Sequence, residues 1–484
     1  MQYYKLSIYI LFLLFTATGC VKLKEDLTGQ PTADKFFNSA DDFSSFMAGA
    51  YSPLTILSGG DYPYIAGAGA EDCHTMVSRW KGFEQANINS VSNPNEVTDQ
   101  LWNAYFSSLA VCNNTLKVVS QSTIPADELL PAAGEAKFMR ALNYFFLARW
   151  FGEVPMLTAD NFQDAAHIPQ ASIADIYDFI IADLKDAETN LPGSTNDKSR
   201  PNKWTAKALL AKVYLTKAGF PLNDASAYAL ARDKAKEVMD ANIFSLSADY
   251  RDLWLWDNRL SNPELMFVLY ANSNTGTGSW LGRSVRPWDH GEQGWGDWES
   301  DKRFLADFPE GNGTRLNGTF YLTMIDGTSW EHTDYAQPYV SKYRDGGPKT
   351  GGYAGPPNAN LADGFYALIR YADVLLIYAE AANKAESGPS PAAYAAVNTV
   401  RSRSGLGDLS GLGTDGFDKA VLDERNWEFA FENNRWFDIG RKHILTDVMH
   451  TYYPEVTIDD HNYLLPKPTD QLNIMKGVMQ NPGY

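Results

Sequence analysis

Cysteine is scarce in this chain, with Cys20, Cys73 and Cys112 the only three in 484 residues. Their spacing resembles no metal-binding motif; for Cys73 and Cys112 a disulfide in an exported protein and two buried free thiols are both open. Basic residues are in deficit as well, 41 Lys and Arg against 59 Asp and Glu. Phosphate contacts need clustered Lys and Arg, so this balance argues against a nucleic-acid partner.

Catalytic signatures are missing. His332 follows Glu331, but "EHTDYA" offers no second histidine at H-E-x-x-H spacing, and no G-x-S-x-G elbow occurs. "GLGTDG" at 411–416 satisfies G-x-G-x-x-G, yet it sits between helical segments with no strand before it, the wrong setting for a nucleotide. Glu292, Asp297, Glu299 and Asp301 lie close enough in sequence to suggest a glycosidase acid and base, although a solvated acidic loop is the commoner meaning of such a run. No catalytic residue, metal or cofactor is expected.

The N-terminal apolar run, Leu6 to Phe15, is also short. Ten residues of helix rise about 15 Å, half of the roughly 30 Å of a bilayer's hydrocarbon. With Lys5 before it and Ala17, Thr18 and Gly19 after it, the run reads as an export signal over residues 1–19, not a membrane anchor. Cys20, directly behind the small residues, resembles the acylated cysteine of a bacterial lipobox, and two or three acyl chains hold a protein on a membrane surface. Removal of the signal leaves 40 basic and 59 acidic residues, a formal charge of -19.

What the chain does have is amphipathic helix. "SADDFSSFMAGAY" opens with Ser39 as N-cap and Asp42 three residues later, and Ser172 with Asp175 repeats the pattern. Residues 96–119 return to helical spacing. Around Phe138, Leu142 and Phe145 the helix is apolar over a wide arc, the mark of one set between others, and Gly152 and Pro155 end it. Further helices are expected in "KWTAKALLAKVYLTKAGF", "YALARDKAKEVM", "ALIRYADVLLIYAEAANKAE" and "PAAYAAVNTVRSRSG", with one or two more in "KAVLDERNWEFAFENNRWFDIGRK". Alanine-rich antiparallel pairs of this kind suggest tetratricopeptide-like stacking without a clean period. The expected architecture is an all-α fold whose helix pairs form a scaffold, with an N-terminal part at 20–245 and a C-terminal part at 246–484 in one compact unit.

Between them runs a glycine-rich insertion, about 249–363, with seven of the thirteen tryptophans: Trp254, Trp256, Trp280, Trp288, Trp295, Trp298 and Trp330. In "WLGRSVRPWDHGEQGWGDW" (280–298) the ring spacing fits no helix face. These indoles either fill a small local core or stand open as a binding surface. A sugar ring offers C–H bonds on one face and hydroxyls on its rim, so flat indoles interleaved with Arg and Asp match both. The oxygen-rich loops "NSNTGTG" and "EGNGTRLNG" could accept calcium, but neither calcium nor dimerisation is predicted.

"EAKFMRALNYFFLARWFGEVP", "IRYADVLLIYAEAANK", "VNTVRSRSGL", "ERNWEFAFENNRWFDIGR" and "LLPKPTDQLNIMKGVMQNPGY" together resemble the SusD/RagB family of outer-membrane lipoproteins. The resemblance implies an outer-membrane, surface-exposed nutrient-binding protein that captures a glycan and passes it to a SusC-like TonB-dependent barrel. The same scaffold capturing peptides is the alternative, and a glycoside hydrolase a weaker one. It implies that Lys24, Glu25 and Asp26 act as an export signal, and that "EDCHTMVSRW" contributes Asp72, Arg79 and Trp80 to the ligand site beside Trp280, Trp288, Trp295, Trp298 and Trp330. Arg370, Asp373, Glu424 and Arg425 are expected to form ion pairs that fix helix packing or the barrel contact.

Overall fold

The computed structural model describes residues 37–57, 70–86, 94–271, 278–309, 311, 313–343 and 364–484. The signal segment, Cys20, Lys24, Glu25 and Asp26, the Arg79 side chain, residues 272–277 of "NSNTGTG" and parts of "EGNGTRLNG" lie outside that description.

Among the described residues six helices of eight residues or more precede the insertion: α1 (Ala40–Tyr51), α2 (Pro94–Gln121), α3 (Ala126–Phe151), α4 (Ile173–Asn190), α5 (Lys203–Lys217) and α6 (Ala227–Asp240). Five of that length follow it, α7 (Tyr371–Ala385), α8 (Pro391–Arg403), α9 (Thr414–Glu428), α10 (Arg435–Lys442) and α11 (Leu445–Tyr452), and a shorter helix, Thr469–Ile474, comes after them. The helix starts obey the expected signals. The Asp42 carboxylate accepts the Ser39 backbone N–H at 2.8 Å, and the Ser172 hydroxyl accepts that of Asp175. Each of α1 to α5 packs on the next, α5 packs on α6, and α6 packs on α7 across the whole insertion, so the stack is continuous in space where the sequence is interrupted. Ala231 and Ala235 on α6 and Ala379 and Ala382 on α7 are fully buried; without larger side chains the helix backbones approach closely.

The insertion leaves and re-enters the stack through one antiparallel pair, β1 (Leu265–Ala271) with β4 (Gly364–Arg370), which adds a small sheet to the helical scaffold. A second pair, β2 (Phe320–Tyr321) with β3 (Tyr339–Val340), lies within the insertion. Its base is held by buried charge. Arg370, at the β4–α7 junction, donates to Glu432 at 2.7 Å and Glu428 at 3.0 Å and also pairs with Glu264 on the approach to β1. Lys342 reaches Glu432 at 2.7 Å, and Arg315 and Arg401 converge on Glu424. Burial pushes the Glu428 carboxyl up, but Arg403, Arg370 and Arg315 outweigh it and leave its pKa at about 2. In the helical stack Asp373 lies between Lys212 (2.9 Å) and Arg425 (2.8 Å), and Arg425 continues to Asp438. The expected ion pairs therefore exist with other partners: Arg370 does not meet Asp373.

"KAVLDERNWEFAFENNRWFDIGRK" divides into α9 and α10 because Phe431 and Asn433 take positive φ, 64° and 58°. That turn aims the Phe431 N–H at the Asp72 carboxylate, 2.7 Å away. Cys73 and Cys112 are free, and burial raises the Cys112 thiol to about 12, which makes it inert. Among the described residues no helix is long and apolar enough to cross a membrane.

Candidate ligand-binding surface

The tryptophan-rich segment is a folded loop wound around a buried arginine. A single turn of helix, Leu281–Ser284, begins it. Arg286 is fully buried, and its Nε donates to the Gly282 carbonyl at 2.6 Å. The chain then returns antiparallel to itself: the Trp295 N–H donates to the Arg283 carbonyl (2.9 Å), Gly296 to Arg286 (2.8 Å) and Asp297 to Ser284 (3.0 Å). Gly294 is required here, because a Cβ on it would sit 2.1 Å from the Arg286 carbonyl oxygen. Glu292, also buried, accepts the Tyr321 hydroxyl at 2.6 Å and the Ile325 N–H at 3.0 Å, joining the loop to β2 and the turn after it. Arg286 and Glu292 thus hold the loop in shape; neither is a ligand donor, contrary to the reading in which charge and ring alternate for recognition.

The four rings of 280–298 divide by environment. Trp280 is 44% exposed and Trp288 53%, whereas Trp298 is 2% exposed and belongs to the main core. Trp295 is half-buried, with the Trp280 ring edge-on at 5.9 Å and the Arg283 guanidinium 5.2 Å from its own ring centre. Gly296, next along, faces two further rings: a Cβ on it would stand 3.0 Å from the Tyr335 ring and 3.3 Å from that of Trp288. The exposed rings thus fall in two neighbouring pairs: Trp280 with Trp295, which Arg283 also touches, and Trp288 with Tyr335 about Gly296, the next residue of the loop. Ile325 is exposed on the turn that Glu292 fixes, and Trp330 is half-buried on the same flanking segment.

Asp72, Trp80 and Trp298 are corrections. Asp72 is buried, accepts the Phe431 N–H, and offers its own backbone carbonyl to Ser300 at 3.1 Å. Burial raises its carboxyl to about 6 against the pull of the Phe431 N–H. Its segment is a strap: His74 and Glu299 exchange backbone hydrogen bonds at 2.8 and 2.9 Å, and the Thr75 hydroxyl reaches the Asp297 carbonyl at 2.7 Å. Trp80 is buried against Phe83. The acidic run is not a solvated loop either. Glu299 is fully buried, and its pKa is driven well up, by burial first and then by the charges of Asp297 and Glu84. Asp301 caps the short helix Lys302–Asp307.

A cleft of about 530 Å³ lies elsewhere, in the helical half among Tyr177, Phe220, Trp436, Tyr463, Leu464 and Lys467. Its polar groups are already engaged: Lys467 on the Gln170 amide oxygen and the Met479 carbonyl, Arg441 on Glu380 and Asp438. Apolar walls with committed polar groups match a polyhydroxylated ligand less well than the open rings do. Sequence reasoning missed Tyr335 and Arg283. Tyr335 is brought to the rings only by the tertiary fold, and Arg283 differs from Arg286 by nothing but the turn that buries the latter.

Two family models match, one described as "SusD family" over residues 294–484 and one as "Starch-binding associating with outer membrane" over 30–215. The chain belongs to the SusD/RagB family. SusD-like protein P2 of Formosa agariphila is 28% identical over the full length of both chains. The solved SusD homologue of Bacteroides thetaiotaomicron superposes with a TM-score of 0.81 at 23% identity, covering 93% of this chain and 98% of that one. A structure described as a laminarin-binding SusD-like protein gives a TM-score of 0.75 at 22% identity, covering 92% and 100%.

Proposed function

We propose that this SusD-family chain is a surface glycan-binding lipoprotein of the outer membrane, anchored through acylated Cys20, that captures oligo- or polysaccharide and delivers it uncut to a SusC-like TonB-dependent transporter. The observation that carries the reading is the two open indoles, Trp280 paired with half-buried Trp295 and Trp288 paired with half-buried Tyr335, on a loop locked by Arg286 and Glu292. Two stacked rings that cover roughly 100 Å² of sugar contribute about 2 to 3 kcal/mol before ordering costs. A loop already held in shape keeps those costs low, and affinity is expected at about the micromolar level or weaker. Of the carboxylates considered for catalysis, Glu292 and Asp301 are engaged in holding the fold and Glu299 is sealed from solvent. The matched family description and the laminarin-binding relative add to the case. Peptide capture remains the second reading, favoured by the apolar 530 Å³ cleft.

The test is a titration of the soluble chain from Val21 onward against oligosaccharide and peptide panels, followed by tryptophan fluorescence and product analysis. Quenching by a glycan without product release is expected. Response to peptides alone, or release of shortened sugars, would replace the reading with its rivals.

A further inference from the structure

We infer that the aromatic shelf takes uncharged glycans and turns away those that carry carboxylate or sulfate groups. The inference rests on the glycan reading above and concerns the class of glycan.

Its basis is the charge placed around the rings. The segment beside Trp288 carries Asp289 and His290, and the facing turn carries Asp326, Glu331 and Asp334, of which Asp326, Glu331 and Asp334 are exposed. The two segments of this rim touch: His290 Nδ1 lies 2.8 Å from Asp326 and its Nε2 3.3 Å from Asp289 Oδ2, and the Asp334 N–H donates to that same oxygen at 3.3 Å. The hydrogen bond to Asp326, then the charges of Asp289 and Asp334, raise the His290 pKa. Even when protonated, His290 offsets one of those three carboxylates. Tyr335, which shares Gly296 with Trp288, lies in the field of Asp297, Asp334 and Asp289. Among the described residues, the Arg283 guanidinium stands against the other ring pair, 5.2 Å from Trp295.

A ligand stacked on Trp288 therefore meets a net negative border at distances within or near the Debye length, about 8 Å at physiological salt. Neutral hydroxyls find acceptors in these carboxylates, whereas anionic substituents on a ligand stacked at Trp288 meet repulsion from them. Discrimination of this sort acts by rejecting the wrong ligand, with no need for closer contact to the right one.

The test takes whichever neutral hexaose binds the wild-type chain best, from β-1,3-glucan, α-1,4-glucan, β-1,4-glucan and mannan series, and compares it with its own C6-carboxylated and sulfated forms by calorimetry. The expected result at 20 mM salt is affinity for the charged forms weaker by about tenfold or more, with the gap closing as salt rises to 0.5 M. The surface variant Asp326→Asn/Glu331→Gln/Asp334→Asn should bring the charged-to-neutral affinity ratio close to one. Equal affinity of wild type for both forms at low salt overturns the inference while leaving glycan capture in place. If no glycan of either kind binds, the reading beneath it falls as well.

Discussion

The base of the insertion and its outer loop are built from the same residue types and treat them in opposite ways. At the base Arg370, Arg403, Arg315 and Lys342 are buried and matched to Glu264, Glu424, Glu428 and Glu432, and Trp254 is packed beside them. In the outer loop one arginine, Arg286, is spent on shape, and the rings next to it, Trp280 and Trp288, are left facing water. Exposure of two indoles costs hydrophobic stabilisation that burial would have supplied, so the difference separates residues that hold the fold from residues kept available for a ligand.

Substitutions can break this contrast at either end. The largest effect is expected from Arg370→Ala, which strands Glu264, Glu428 and Glu432 without their shared partner. Loss of about 3 to 5 kcal/mol, or failure to accumulate folded protein, is the expected outcome in chemical denaturation. Trp298→Ala should follow at about 3 to 5 kcal/mol, through the cavity left in the main core. Trp288→Ala belongs to the other class: stability within about 0.5 kcal/mol of wild type, and glycan affinity reduced about tenfold. A Trp288→Ala chain that melts as early as Trp298→Ala would erase the distinction.

Glu299→Gln gives the smallest effect and a signed one. Its folded-state pKa is raised, so between the ordinary carboxylate value and that raised value the folded chain holds a proton that the unfolded chain has lost. Stability from this group is present at low pH and declines as pH rises through that window. The glutamine variant lacks this slope, and should equal or exceed wild type in thermal stability at neutral pH while losing its advantage toward pH 4.

The scaffold was largely legible in the sequence because helix signals are local. The Ser39–Asp42 and Ser172–Asp175 caps, the Gly152 stop and the apolar arc around Leu142 each lie within a few residues and behave as expected. The insertion was legible as a region, by its tryptophan and glycine, but not ring by ring. Trp288 and Trp298 have similar neighbours in sequence and opposite environments in space, set by where the chain reverses over Arg286. Asp72 was misassigned for a related reason: its partner, the Phe431 N–H, lies in the distant turn between α9 and α10.

Fluorine NMR on the chain labelled with 5-fluorotryptophan, each resonance assigned by single Trp→Phe replacement, tests the central claim most directly. On saturation with a bound neutral oligosaccharide, the Trp280 and Trp288 signals should shift while those of Trp80, Trp150 and Trp298 stay within linewidth. A glycan that binds but leaves Trp280 and Trp288 unmoved would contradict the account.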